Sequence, residues 1–263
     1  CNLFGMEFLR RENSECVTDC DKIFIMGDEI KMILEQRGAK NVYAYGVPRF
    51  KYLFDLNAKR KFTLNKKEGF TITYIVGAWS WHGNAVANGR QNVQLKFLVD
   101  FVRQNQQFYL IIRNHPRQDR SEYHWLQEDI PSVEFVPAEA DLESILRISD
   151  VTLTMGSLVF IESIALNVPS LMVDFPIDPK HPNFGEVYDL PVIKSEQELA
   201  NILRDLACSD RKQQKELIKK QHELLDRIIA PTTPTSDIMI AKEILSSLHL
   251  QETKKMNWKT DEN

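Results

Sequence analysis

Two short stretches hold the residues best suited to chemistry. The first, Arg113-Asn114-His115-Pro116-Arg117-Gln118-Asp119-Arg120, sets one imidazole among three arginines in a chain of formal net charge -4. An imidazole stiffened by a following proline can donate a hydrogen bond to a phosphate oxygen, neutral or protonated. The arginines can neutralise a departing diphosphate without a metal ion. In the competing reading His115 only closes a strand and the arginines pair with Asp119 and Glu122. The second stretch, Met155-Gly156-Ser157, is a turn between the β-branched run Val151 to Thr154 and a helical pattern from Leu158 to Asn167. Unpaired N–H groups and the helix dipole at such a turn favour negative charge, so Ser157 either caps the helix or donates to a phosphate. Glu162, about one turn further on, either accepts from sugar or ribose hydroxyls or is a solvated helix residue.

Three other candidates are more isolated. His82 stands between Trp81 and Gly83 in the loop Gly77 to Asn84, where it contacts a second substrate or simply packs. Arg49, in Gly46-Val47-Pro48-Arg49-Phe50, is a cation just past a strand end, or one half of a surface salt bridge. His181-Pro182 lies in a proline-rich loop. The sequence has no Gly-x-Gly-x-x-Gly fingerprint, phosphate-binding lysine loop or metal-binding helix pair. That weighs against dinucleotide oxidoreductases, P-loop kinases and zinc hydrolases. No Asp-x-Asp pair ends a predicted strand, which fits a metal-independent site, and no cofactor is expected.

The elements that must position these residues follow from hydrophobic periodicity. Short apolar runs at 22–26, 41–45, 70–76, 108–112, 133–136, 151–154, 170–173 and 191–194 read as strands. Between them lie helices at 28–37, closed by Gly38, at 91–104 with Val93, Phe97 and Phe101 at four-residue spacing, at 121–128, at 141–148 capped by Asp141, and at 195–207. Ser195 and Glu198 form a capping box for the last of these. Six strands alternating with helices from 70 to 207 predict a doubly wound parallel sheet, with strand carboxyl ends facing one crevice. Loops beginning at Gly77, Arg113, Val136, Met155 and Phe175 then converge. A charged helix follows from 210 to 229 and another from 236 to 248.

Length and composition bound the reading. A chain of 263 residues, 43% hydrophobic and 27% charged, is ordinary for a globular protein of one large or two small domains. The acidic balance argues against a nucleic-acid partner, and any anionic ligand should be small. Cys1, Cys16, Cys20 and Cys208 have no second Cys/His pair to complete a zinc site, so free thiols in the cytoplasm are expected. The basic, unpatterned stretch 57–69 reads as a linker. Lysines in the helix at 211–227 are either a solvated face or a contact for the inner membrane surface. The chain begins with Cys, and a fragment or trimmed chain is expected.

Gly46-Val47-Pro48-Arg49, Arg113-Asn114-His115-Pro116, and Gly156-Ser157 with Glu162 and Asn167-Val168-Pro169 resemble, in order and spacing, the motifs of GT-B-fold enzymes of bacterial surface and capsular polysaccharide synthesis. That group takes in capsule-type glycosyltransferases, CDP-glycerol glycerophosphotransferases and, more distantly, UDP-GlcNAc 2-epimerases. The resemblance covers residues 20–250. It implies that His115 and Ser157 contact a donor's phosphates and that Glu162 contacts its ribose or sugar. The Rossmann-like sheet would be the carboxyl-terminal half of a GT-B fold, with a partial amino-terminal α/β unit. The expected domains are a remnant of the acceptor-side domain with linker at 1–66, the donor domain at 67–209, crossing helices at 210–250 and a disordered tail at 251–263. The implied activity is a metal-independent glycosyltransferase using a UDP-, CMP- or CDP-linked sugar and a saccharide or lipid-linked acceptor. This chain alone is expected to bind the donor and to turn over poorly. Where the group has Lys-Pro before its His-Pro element this chain has Arg113-Asn114, which leaves the donor open. A 2-epimerase-like enzyme, a glycerophosphotransferase and a non-catalytic nucleotide-sugar-binding module are the alternatives.

Overall fold

A computed structural model describes residues 21–48, 66–126, 130–176, 191–229 and 236–247. The chain forms two compact units, Cys1–Ala58 with Glu223–Asn263, and Lys59–His222.

In the first unit β1 (Ile23–Ile25) and β2 (Val42–Ala44) pair in parallel, joined by α1 (Asp28–Gln36). The apolar side of α1 buries Ile30 and Leu34. Gly38 ends the helix at φ +89°, a left-handed conformation that costs glycine little, and its N–H reaches the Glu35 carbonyl at 3.0 Å.

The second unit holds β3 (Phe70–Ile75), β4 (Phe108–Arg113), β5 (Val133–Val136), β6 (Val151–Thr154), β7 (Ser170–Val173) and β8 (Val192–Ile193) in one sheet. Its order is β5-β4-β3-β6-β7-β8, and every pairing is parallel. The six alternating strands read from the sequence are therefore present. The crossovers include α2 (Ala85–Gln104), a 3-10 segment (Arg120–Leu126), α3 (Leu142–Ile148) and α4 (Val159–Ala165), and α5 (Glu196–Cys208) follows the last strand. One face of the sheet offers Ile72, Tyr74, Leu110, Ile112 and Leu153 to α2 and α5, through Leu95, Leu98, Leu199 and Leu203. On the other face Ile111 and Val136 pack with Ile145 of α3. The middle of that second face is threaded with hydroxyls. Thr73 bonds Ser149 at 2.6 Å, and Thr152 donates to Ser170 at 2.8 Å.

The caps follow sequence logic with one variation. Asp141 accepts from the Ser144 N–H at 2.8 Å, and Ser195 accepts from the Glu198 N–H at 3.2 Å. The Glu198 carboxylate reaches back to the Lys194 N–H, one residue before the cap.

Helix α2 corrects the sequence reading twice. It begins six residues earlier than expected, capped by Asn84, whose side chain accepts from the Ala87 N–H at 3.0 Å. Its buried stripe also differs from the expected one, since Val93 is 41% exposed while Gln91 and Gln94 are fully buried. The predicted helix at 121–128 is a 3-10 segment kinked at Tyr123. Beyond these, α6 (Arg211–Ile228) and α7 (236–247) are present, and Asp210 caps α6 through the Gln213 N–H. No helix among the described residues is long and apolar enough to cross a membrane.

Candidate functional site

The strand order reverses between β3 and β6, and crossovers leaving in opposite directions open a crevice at their carboxyl ends. A cavity of about 160 Å³ lies there. Gly77, Ala78, Trp79 and His82 line it from the loop after β3, His115 from the loop after β4, and Thr154 to Ser157 from the end of β6. Of the residues selected from sequence, Gly77, His82, His115, Gly156 and Ser157 are thus brought together. Arg113, Arg117 and Glu162 are not in that lining, and Arg49, His181 and the side chain of Arg120 fall outside the described residues.

Each wall is fixed by local bonding. The loop after β3 closes on itself, His82 N–H to Ala78 carbonyl at 3.1 Å and Asn84 N–H to Trp79 carbonyl at 2.9 Å. The Trp79 indole lies against Gly77 so closely that a Cβ there would sit 2.4 Å from Nε1. Any larger residue at 77 would have to push that indole aside.

The turn after β6 departs from expectation. Thr154 Oγ1 accepts from the Ser157 N–H at 2.9 Å and the Gly156 N–H at 3.3 Å, so the two amides expected to face a ligand are already paired. Gly156 reaches this geometry at φ +127°. Although the N-cap position of α4 is Leu158, one residue later than the sequence reading put it, Ser157 Oγ accepts from the Val159 N–H at 3.3 Å. Its own hydroxyl proton is what it offers outward.

His115 is half-buried, and its Nδ1 accepts from the Arg117 N–H at 3.1 Å. A nitrogen that accepts carries no proton, so in the neutral ring Nε2 is the donor. Burial, followed by the positive charges of Arg117, Arg113 and His82, lowers the pKa below its ordinary value of 6.5. The neutral form is therefore favoured near pH 7. As pH falls below about 6.5 the unfolded chain takes up a proton at this position before the folded one does, so stability is lost from that pH downward. His115→Gln is expected to flatten the melting-temperature profile between about pH 7 and 5, and an unchanged slope would refute the assignment.

Behind His115, Arg113 donates from Nη2 to the Ala138 carbonyl at 2.9 Å. Burial lowers its pKa, while the charges of Glu162, Asp141 and Glu139 raise it. Glu162 is 4% exposed, so it is not a solvated helix residue. It is a buried carboxylate whose negative charge acts on the Arg113 guanidinium. Glu122 accepts from Asn88 and Gln118. Arg117 is exposed. Among the described residues no three His, Cys, Asp or Glu side chains gather as a metal-ion site.

Sequence reasoning misses Thr154 and Gln91. Thr154 ends a β-branched run and looks like strand alone, whereas its hydroxyl organises the whole turn. Gln91 holds the Gly77 N–H at 2.6 Å, and its one sequence signal is a polar residue three before another glutamine on a helix that needs a buried face.

A six-stranded parallel sheet wound on both faces, with its crevice at the strand-order reversal, makes this a GT-B-like α/β fold. Solved structures similar to it include the wall teichoic acid polymerase TagF, as a variant soaked with CDPG (TM-score 0.58, 17% identity, 90% of this chain and 60% of that one). The S. aureus MnaA-UDP co-structure matches with TM-score 0.58 and 16% identity over 88% of this chain and 62% of that one. The Methanocaldococcus jannaschii UDP-GlcNAc 2-epimerase in complex with UDP-GlcNAc and UDP matches with TM-score 0.54 and 12% identity over 77% of this chain and 61% of that one. The chain thus spans about 60% of the length of these neighbours. No protein-family model matches the sequence, and no curated protein does.

Proposed function

We propose that this chain supplies the donor-binding domain of a nucleotide-sugar-dependent, metal-independent glycosyltransferase of GT-B type that works in cell-surface polysaccharide assembly. The observation that carries this reading is the crevice between β3 and β6, where His115 Nε2–H, the Ser157 hydroxyl and His82 meet in one pocket. These are donors suited to phosphate oxygens, and the Arg113 guanidinium behind them adds positive potential. In the reaction the bond from the anomeric carbon to the leaving phosphate breaks and a bond to an acceptor oxygen forms. The acceptor hydroxyl gives up its proton to solvent water. Charge collects on the leaving phosphate, where His115 and Ser157 are placed to stabilise it. The neighbours support a nucleotide-linked donor, since their structures carry UDP, UDP-GlcNAc or CDPG.

Transfer is favoured over 2-epimerisation by Asp174. An epimerase needs carboxylates for proton exchange at the cleft, and Asp174 is instead buried against Arg90 at 2.7 Å, while Glu139 is exposed and does not line the pocket.

Calorimetry with UDP, CMP, CDP and GDP tests the reading. One of them is expected to bind, and His115→Ala and Ser157→Ala each to weaken it by about 1–3 kcal/mol, the loss of a hydrogen bond to a charged group. Binding by none of the four would overturn it. A product assay then separates a glycoside or a glycerophosphate ester from an epimerised nucleotide sugar.

Peripheral association with the inner membrane extends the same reading. Lys212, Lys215, Lys219 and Lys220 of α6 are exposed cations for an acidic lipid surface. Replacing Lys215, Lys219 and Lys220 with Glu is expected to abolish sedimentation with anionic liposomes, and undiminished sedimentation sinks the extension.

A further inference from the structure

The first half of α2 turns polar side chains inward. Arg90, Gln91 and Gln94 are 7%, 0% and 0% exposed, whereas the second half of the same helix buries Leu95, Leu98 and Val102. An apolar side chain would pack at such positions with no hydrogen bond to satisfy. A buried glutamine is tolerable only when its polar atoms find partners.

Both glutamines do, and the partners lie at or just past strand ends, except Tyr123 in the 3-10 segment. Gln91 Oε1 accepts from the Gly77 N–H at 2.6 Å, and its Nε2 donates to the Tyr123 hydroxyl at 2.9 Å and to the Gly77 carbonyl at 3.4 Å. Gln94 Oε1 accepts from the Tyr74 hydroxyl at 2.7 Å, and its Nε2 donates to the Phe175 carbonyl at 3.1 Å and meets Met155 Sδ at 3.4 Å. Arg90 Nη1 donates to Asp174 Oδ1 at 2.7 Å. One helix face therefore grips the loops that follow β3, β6 and β7, and the 3-10 segment that follows β4. Gly77 and Met155 line the pocket.

We infer that Gln91 and Gln94 are positioning residues that set the spacing of the pocket walls before a ligand arrives. Gln91 binds both polar atoms of one residue, Gly77, and the Trp79 ring rests on that residue, so releasing Gly77 releases a wall. Gln94 ties the β6 wall, through Met155, to the loop after β7. A site held in this way binds without first ordering its loops.

The test uses the full chain carrying Gln91→Met, Gln94→Met or Gln91→Glu, and two readouts. The first is amide hydrogen exchange at Gly77, with Val76, whose N–H bonds the Arg113 carbonyl, as internal reference. Gln91→Met is expected to speed exchange at Gly77 at least about tenfold over Val76, and Gln91→Glu, which keeps the accepting oxygen, to restore protection. The second is affinity for the nucleotide that the wild-type chain binds, expected to fall about tenfold to a hundredfold in both Met variants, as for a misplaced site. Unchanged Gly77 exchange in Gln91→Met, or unchanged affinity in both Met variants, overturns the inference. Should Gln91→Met fail to fold, two measurements decide instead: Gln94→Met must lose affinity, and Gln91→Glu must keep Gly77 protected, for the inference to stand. The choice of ligand rests on the functional reading above. If wild type binds no nucleotide that reading fails, and the Gly77 exchange still decides the clamp.

Discussion

Arg90→Met is expected to lower the stability of the chain by about 3–5 kcal/mol, the cost of removing one half of a buried ion pair. The Arg90 and Asp174 side chains are 8% and 9% exposed, so water cannot replace the lost guanidinium. Asp174→Asn keeps an accepting oxygen toward Arg90 and removes only the negative charge, and the guanidinium that remains is weakly hydrated and more easily accommodated. The expected order of destabilisation is Arg90→Met above Asp174→Asn. Arg90→Met combined with Asp174→Leu should recover a large part of the loss, because both charges of the pair are then removed together. Urea midpoints with constant slope would establish the order. A double variant no better than Arg90→Met alone would show that the damage is in packing and not in charge.

Leu153→Ala is expected to cost about 2–5 kcal/mol, the range for emptying a leucine site in a well-packed core. Leu153 is fully buried in the middle of β6, beside Tyr74 on β3 and Leu171 on β7, so neighbours on both sides oppose collapse into the void. Its side chain belongs to the core shared with α2 and α5 and does not line the pocket. Nucleotide affinity, measured well below the new melting temperature, should therefore stay within about threefold, since core and site here share a strand but no side chain. A large loss of affinity in a folded Leu153→Ala protein would mean that the pocket depends on the core more directly than the hydrogen bonds suggest.

How much of this is readable from the residues depends on which interactions are local. The strands of the second unit are short runs of β-branched and aromatic residues, and their sequence-predicted bounds agree with the structure to within about two residues, a usual boundary error. Caps are local as well. Asp141 and Ser195 are legible because a cap and its target amide are three residues apart. Helix α2 is misread because Gln91 and Gln94 occupy its buried face. Their partners, Gly77, Tyr123, Tyr74 and Phe175, lie in separate segments, so the bonds that make a buried glutamine acceptable leave no local trace. Val93, apolar and exposed, completes the false stripe.

The candidate site divides in the same way. Placing Gly77, His82, His115 and Ser157 in one crevice needs only the rule that strand ends of a parallel sheet share a rim, and the structure gathers these four around one cavity. The fate of Glu162 needs three dimensions. On a lone helix it would face solvent, but α4 is buried on most sides and brings the carboxylate under the influence of Arg113. The amides of Gly156 and Ser157 look free in the sequence because the residue that occupies them, Thr154, reads only as the end of a strand.

The sheet order also bears on how the molecule comes to be. β3 pairs with β4 on one side and with β6 on the other, and β6 lies roughly twice as far along the chain. Loop closure costs more for the distant partner, so the unit of β3, α2 and β4 has the kinetic advantage and the β3–β6 seam joins later. The cavity straddles that seam. A nascent or refolding chain would therefore acquire its binding crevice only when its two halves dock, and a ligand held across the seam would act as a latch on the final step of folding.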